Sequence, residues 1–229
     1  MVVLAIDTAT RWGGVALLTP QGTGWEVRWH SPHNHSTELA PAVATLLERA
    51  GCSPGDLRGL AVTLGPGGFS ALRVGLGFAK GLAAGRGIPL VGIGTLSVEA
   101  ASLGLQGVPL CPLVDLGRGV VAWGVVDPTR GDVPLQEGVN SVEELPTLLP
   151  KGAVVCGEGA WTYRQALGAG GALLLAARPP PTRSPLALAH LGKRRLERGE
   201  ADPVAALQPL YFRPPSIGPG PRGPEGGKP

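Results

Sequence analysis

Aromatic side chains make up only 4% of the 229 residues, so the core of this chain has to be built from Ala, Val and Leu. Cysteine occurs three times, as Cys52, Cys111 and Cys156. An odd number of widely separated cysteines gives neither a disulfide framework nor the paired spacing of a structural zinc site, and the reading is of buried free thiols. No apolar run is long enough to span a bilayer, and Val2 to Ile6 is too short for the core of a signal peptide, so a cytoplasmic protein without membrane contact is expected. Short catalytic motifs are missing too. No glycine turn ends in Gly-Lys-Ser or Gly-Lys-Thr, no Gly-x-Ser-x-Gly elbow is present, and no cysteine has a convincing histidine partner. His30, His33 and His35 fall on a strand end and an irregular loop rather than on one face of an element, and no metal site is expected there.

What is there suits a folded globular protein: 43% hydrophobic and 16% charged residues, with a formal charge of +3 and a pI near 9.0. That mild basicity permits contact with a nucleic acid without requiring it. Arginine outnumbers lysine, proline is abundant and asparagine rare, which fits a heat-adapted source or a GC-rich genome alike. The length allows one large domain or two small ones sharing an interface.

The stretch from Leu64 to Gly92 organises the rest. Leu60 to Leu64 is a short strand-forming run, Gly65-Pro66-Gly67-Gly68 forces a tight turn, and a long helix follows before a strand over Ile88 to Ile93. Such a turn either aims backbone N–H groups at an anion ahead of the helix or simply lets turn and helix pack closely. Within the helix, Ala71, Gly75, Ala79 and Ala83 recur every four residues, and Arg73, Gly77, Gly81 and Gly85 form a second, mostly small row. Interior glycine costs a helix about 1 kcal/mol against alanine. Something must therefore approach this backbone closely, whether the sheet beneath, a neighbouring helix or another subunit, and two such faces favour a helix on the far side.

Around this unit the pattern is α/β. Val2 to Ile6 reads as a strand buried on both faces and ending at Asp7, followed by strands over Gly13 to Leu18 and Trp25 to His30, an antiparallel meander. A helix capped by Ser36 or Thr37 presents Leu39, Val43, Leu46 and Leu47 on one face, with Pro41 early and Gly51 at its end. Thr95 is a candidate cap for the helix after the second strand of the central unit. Leu110 to Leu116 and Val120 to Val126 read as strands joined by Gly117-Arg118-Gly119, residues 127 to 140 as loop, Ala153 to Cys156 as a strand and Ala160 to Leu167 as a helix. Ser184-Pro185 opens a last helix bearing Leu186, Leu188, Leu191 and Leu196 among Lys193, Arg194, Arg195 and Arg198. The expected organisation is a first subdomain over residues 1–100, a second, shorter one over 101–212 and a disordered Pro/Gly-rich tail over 213–229.

The turn and helix from Gly65 to Arg73 resemble the Gly-Pro-Gly-Ser-Phe-Thr-Gly-Leu-Arg signature of the TsaB (YeaZ) family, with Gly68, Ser70 and Ala71 standing for Ser, Thr and Gly. The resemblance extends to Ala5-Ile6-Asp7-Thr8-Ala9-Thr10, to His35-Ser36 with Leu39 and Pro41, and to Leu210-Tyr211-Phe212-Arg213. It implies an actin-like (ribonuclease H-like) fold, two tandem α/β subdomains with mixed sheets flanked by helices. It also implies a non-catalytic subunit that pairs with TsaD and, with the ATPase TsaE, supports transfer of a threonylcarbamoyl group to N6 of adenosine 37 in tRNAs reading codons that start with A. The family's pairing uses the two helices of the first subdomain, and Leu39, Val43, Ala71, Arg73, Gly75, Phe78, Ala79 and Leu82 are the candidate interface residues, self-paired in a homodimer when the chain is alone. Asp7, Thr8, Gly65, Gly67 and Gly68 are candidates for a vestigial nucleotide site, though an aspartate at position 7 can equally serve to hydrogen-bond its own turn. The paralogue TsaD carries paired metal-binding histidines where this chain has Thr95, Ser97 and Glu99, so neither metal nor catalytic residue is implied here. No cofactor is expected on the chain alone, ATP or ADP only at the boundary of the complex, and tRNA only through the complex. The competing readings are an independent ATPase or kinase using Asp7 and the Gly65 turn, and a peptidase, for which no nucleophile and base pair exists.

Overall fold

The computed structural model describes residues 1–32, 34–127, 129, 133–169 and 174–212. His33, Arg213 and the tail over 213–229 lie outside them. The chain runs β1 (Val3–Asp7), β2 (Trp12–Leu18), β3 (Gly24–His30), α1 (His35–Arg49), β4 (Gly59–Gly65), α2 (Phe69–Arg86), β5 (Leu90–Gly94) and α3 (Thr95–Leu103). It continues through β6 (Leu110–Asp115), β7 (Val120–Val125), β8 (Gln136–Ser141), α4 (Leu145–Leu148), β9 (Val154–Cys156), α5 (Glu158–Thr162), α6 (Arg164–Gly168), β10 (Leu174–Leu175) and α7 (Pro185–Glu197). Among the described residues, no helix is long and apolar enough to cross a membrane.

The two sheets have one topology used twice. The first is ordered β3-β2-β1-β4-β5 and the second β8-β7-β6-β9-β10. In each, the first three strands form an antiparallel meander and the last two add in parallel to the central one. The alternation of strands and helices in the second half thus repeats that of the first, without a visible sequence repeat. Parallel central strands such as β1 are covered on both faces, which is why Val3 to Ile6 is an unbroken apolar run, fully buried.

The lobes are not contiguous in the chain. α7 packs back onto the first sheet, where Leu188, Ala189 and Leu191 join Val3, Ala5, Ala61 and Val91. Gly192 permits this approach, since a Cβ there would stand 2.4 Å from that of Ala61. Ser184 caps α7 by accepting the Ala187 amide, with Pro185 at the first turn, as its sequence announces. α3 spans residue 100 and lies between the lobes, Val98 packing toward the first sheet and Leu96 toward Val114 and Ala122 of the second. After α7 the chain crosses the first lobe as a strap: Asp202 accepts the Gly92 amide, Lys80 donates to the carbonyls of Ala205 and Leu207, and Leu210 donates to Leu64.

Some local expectations need correction. α1 starts at His35, because the buried imidazole is anchored by Nε2 to the Thr10 carbonyl at 2.7 Å, and Thr37 donates to Asn34 rather than capping. Thr95 is the first residue of α3 and its hydroxyl makes no capping bond; Gly94 takes the cap position. Residues 136–140, expected in a loop, belong to an edge strand, Gln136–Ser141, held by β7 rather than by their own propensity. The helix expected over Ala160 to Leu167 is two short ones divided at Tyr163, whose hydroxyl donates to Asp115 Oδ1 at 2.8 Å.

Candidate functional site

The carboxyl ends of β1 and β6, the equivalent central strands, face one cleft of about 930 Å³ between the lobes. Its walls come from the β1–β2 loop (Thr10, Arg11), the start of α1 (His35, Ser36), the start of α2 (Phe69, Ser70), the β6–β7 turn (Asp115, Gly117) and α5 (Glu158, Thr162). The crevice at the carboxyl ends of parallel strands is the usual ligand position in such folds. Asp7 and Asp115 occupy matching places at these strand ends, Asp115 in the lining of the cleft and Asp7 buried. Each ends its strand and accepts the amide two residues on, Ala9 at 2.9 Å and Gly117 at 2.7 Å.

Asp7 does hydrogen-bond its own turn, and it does more. Its Oδ1 also accepts from the Thr63 hydroxyl at 3.1 Å, and its Oδ2 accepts from Arg183 Nε at 2.7 Å. Both oxygens of a buried carboxylate are therefore engaged inside the protein. Thr8 donates to the Ala71 carbonyl at 2.7 Å, tying β1 to α2. Gly65 sits at φ +123°, with Leu210 of the strap against it, and Gly67 presses on Ala9. Gly68 gives its amide to the Ala9 carbonyl at 2.7 Å. Of the two readings of the glycine turn, close packing is the one these contacts serve.

The sequence did not mark Arg183, Glu99 and Glu158 as a group. Arg183 is buried and donates from Nη1 to Glu99 Oε1 at 2.9 Å and to Glu158 Oε2 at 3.4 Å. Burial by itself penalises the charged guanidinium, but Asp7, Glu99 and Glu158 outweigh it and raise its proton affinity. Burial pushes the Glu99 carboxyl up, and the opposing pull of Arg183 and of the Thr182 hydroxyl, which donates at 2.7 Å, leaves it raised. Thr95, Ser97 and Glu99, the positions at which the paralogue TsaD is expected to differ by carrying histidines, are all buried. Among the described residues no group of three or more His, Cys, Asp or Glu is arranged to hold a metal ion.

The expected interface residues separate into two sets. Leu39, Val43 and Ala79 lie 1%, 5% and 0% exposed in the first lobe's core, and a Cβ on Gly75 would meet Thr8 Oγ1 at 2.3 Å. As docking residues these four are corrected: the Ala71 row of α2 faces the chain's own sheet and β1. Ala71, Phe78 and Leu82 are half-buried and Arg73 is exposed. The Arg73 guanidinium lies 3.9 Å over the Phe69 ring and donates to the Tyr211 hydroxyl at 2.9 Å. The second row is open, since a Cβ on Gly77, Gly81 or Gly85 would meet nothing within 4 Å.

Comparison with known proteins fits this geometry. A family model described as "TsaD: tRNA N6-adenosine threonylcarbamoyltransferase" matches residues 30–158. The tRNA threonylcarbamoyladenosine biosynthesis protein TsaB of Bacillus subtilis (strain 168) is 32% identical over 222 residues, 93% of this chain and 94% of that protein. The chain belongs to the TsaB family. Its actin-like fold is that of the family: the structure of YeaZ from Pseudomonas aeruginosa superposes with a TM-score of 0.77 at 25% identity, covering 92% of this chain and 100% of the other. The activator of the 2-hydroxyisocaproyl-CoA dehydratase from Clostridium difficile, solved with bound ADPNP, has a TM-score of 0.54 at 10% identity over 87% of this chain and 97% of its own, and shares the fold alone. In this member of the TsaB family, then, the acid at the end of β1 is engaged by an internal arginine.

Proposed function

We propose that this chain serves tRNA threonylcarbamoyladenosine biosynthesis as a non-catalytic scaffold that docks a TsaD-type transferase through the outer face of α1 and α2. The observation that carries the reading is the open row Gly77, Gly81 and Gly85, beside half-buried Val74, Phe78 and Leu82. Each interior glycine costs the helix about 1 kcal/mol against alanine, and within the chain nothing occupies the space gained. A partner helix lying closer than methyl groups allow offsets that cost. The engagement of Asp7 and the histidine-free start of α3 argue in the same direction, that the chemistry belongs to the partner.

On this reading the chain alone binds no cofactor, ATP or ADP enters at most at the boundary with TsaD, TsaE joins the assembly, and tRNA is met through the complex. The same face self-pairs in a homodimer when TsaD is absent. The test is copurification of tagged chain with TsaD, comparing wild type with Gly81→Leu, alongside tRNA modification by the reconstituted components. Loss of TsaD from the variant with its thermal unfolding not lowered is the expected result. Full retention of TsaD would overturn the docking face.

The volume of the cleft favours a second reading, an independent nucleotide-binding ATPase or kinase. Isothermal titration with ATP and magnesium separates the two, because a scaffold gives no heat of binding on its own.

A further inference from the structure

A guanidinium carries five N–H donors in a fixed plane. Arg183, on the segment leading into α7, uses all five: Nε to Asp7, Nη1 to Glu99 and Glu158, and Nη2 to the Thr10 hydroxyl at 2.8 Å and the Trp12 carbonyl at 3.4 Å. These acceptors stand on different elements. Asp7, Thr10 and Trp12 belong to the first lobe, Glu99 to α3 between the lobes, and Glu158 to the start of α5 in the second lobe. Their side chains are buried or nearly so, with Asp7 3%, Glu99 1% and Glu158 16% exposed.

We propose that Arg183 is a built-in tether that takes the place of a ligand, holding the two lobes in one arrangement through ion pairs with Asp7, Glu99 and Glu158. In a two-lobed fold with its ligand between the lobes, closure ordinarily depends on what is bound. Here the cation that draws the acids of both lobes together is part of the chain. The strength of the arrangement comes from its saturation: a buried ion pair stabilises only when its remaining hydrogen bonds are met, and every guanidinium N–H has an acceptor. Thr182 adds a hydroxyl to Glu99 from the neighbouring position, so the segment reinforces its own anchor. The tether requires no partner protein and stands whether or not the docking face proposed above is correct.

The test is hydrogen–deuterium exchange on the full chain. Arg183→Gly leaves a hole of guanidinium shape lined by three carboxylates. Exchange is expected to rise by about tenfold or more in the β1–β2 loop, α3 and the start of α5, and millimolar guanidinium chloride, far below denaturing concentrations, should restore protection where the same concentration of sodium chloride does not. Exchange equal to wild type, or a rise that guanidinium does not reverse, would overturn the tether. Should Arg183→Gly not fold, Glu158→Gln decides the matter, because it removes only the charge on the second lobe while Asp7 and Glu99 still pair Arg183. Its expected signature is increased exchange at the lobe boundary with the outer strands β3 and β8 unchanged, accompanied by a larger radius of gyration in solution scattering. Wild-type exchange and dimensions in Glu158→Gln would contradict the proposal.

Discussion

Gly67 stands so close to Ala9 that a Cβ on it would lie 2.1 Å from the Ala9 carbonyl oxygen, the same oxygen that accepts the Gly68 amide at 2.7 Å. The glycine turn is thus a joint between β4–α2 and the β1–β2 loop. Backbone on both sides cannot give way as a flexible side chain would, so Gly67→Ala should lower stability by about 1–3 kcal/mol, measured by urea unfolding. Gly68→Ser should cost nothing: the new Cβ would meet Ala71 Cβ at 3.5 Å and the Ala9 carbonyl oxygen at 3.9 Å, both ordinary contacts, the backbone is extended at φ −67°, and serine at a helix N-cap is favoured. A stable Gly67→Ala would mean that the turn is not held by Ala9.

The two small rows of α2 predict opposite responses to one methyl group. At Gly81 a Cβ meets nothing within the chain, and Gly81→Ala should stabilise the monomer, measured at a dilution that prevents self-pairing, by about 0.5–1 kcal/mol through helix propensity. At Gly75 it would collide with Thr8 Oγ1, whose hydroxyl is already given to the Ala71 carbonyl. Gly75→Ala should destabilise by about 1–3 kcal/mol. Equal effects at the two positions, read from midpoints of thermal unfolding, would show that the rows do not face different surroundings.

This division marks how far the sequence can be read. The spacing of Ala71, Gly75, Ala79 and Ala83 makes one face evident, but a small-residue face against a sheet and one against a partner have the same composition. Only the position of Thr8 and the openness around Gly77 tell them apart. The strands β1, β2, β4 and β5 were legible because buried strands are continuous apolar runs, and α7 because Ser184-Pro185 is a cap chemistry with a mechanism. β8 was not, since an edge strand reading Gln-Glu-Gly-Val-Asn-Ser owes its conformation to its neighbour. Arg183 was invisible for a related reason. Its partners lie between 25 and 176 residues away, and no local pattern announces a contact made by tertiary structure.

Glu99 should give this protein an unusual dependence on pH. Burial raises its carboxyl above the usual value of 4.5, with Arg183 and Thr182 opposing only in part. A carboxyl that holds its proton more tightly when folded contributes stability that is complete below its unfolded pKa and is lost as the pH rises through the folded one. Glu99→Gln keeps the shape and has no proton to lose. Wild-type stability measured against this variant should therefore fall as the pH is raised from about 4 toward neutrality. The exposed acids Asp56, Glu144 and Glu200, whose carboxyls are held below their usual values, act alike in both proteins and cancel from the difference. Parallel curves, or a difference that grows with pH, would contradict the raised carboxyl.

The three cysteines should divide one against two. Cys111 and Cys156 lie on the neighbouring strands β6 and β9, but the register sets Cys111 opposite Val155 and Cys156 opposite Pro112, so the thiols point to opposite faces of the sheet and join different clusters. They cannot form a disulfide without rebuilding the strands. Burial pushes the Cys111 thiol up to about 12, and burial together with the Glu99 charge raises Cys156 as well. At pH 8 a thiol of pKa about 12 is ionised about one part in ten thousand, against about a quarter for an ordinary thiol. Cys52 is only half-buried. A chromogenic disulfide reagent should therefore titrate one thiol quickly in the native protein and two more only in denaturant. Three fast thiols would mean that the sheet joining β6 to β9 opens readily, and none would mean that Cys52 is covered in solution.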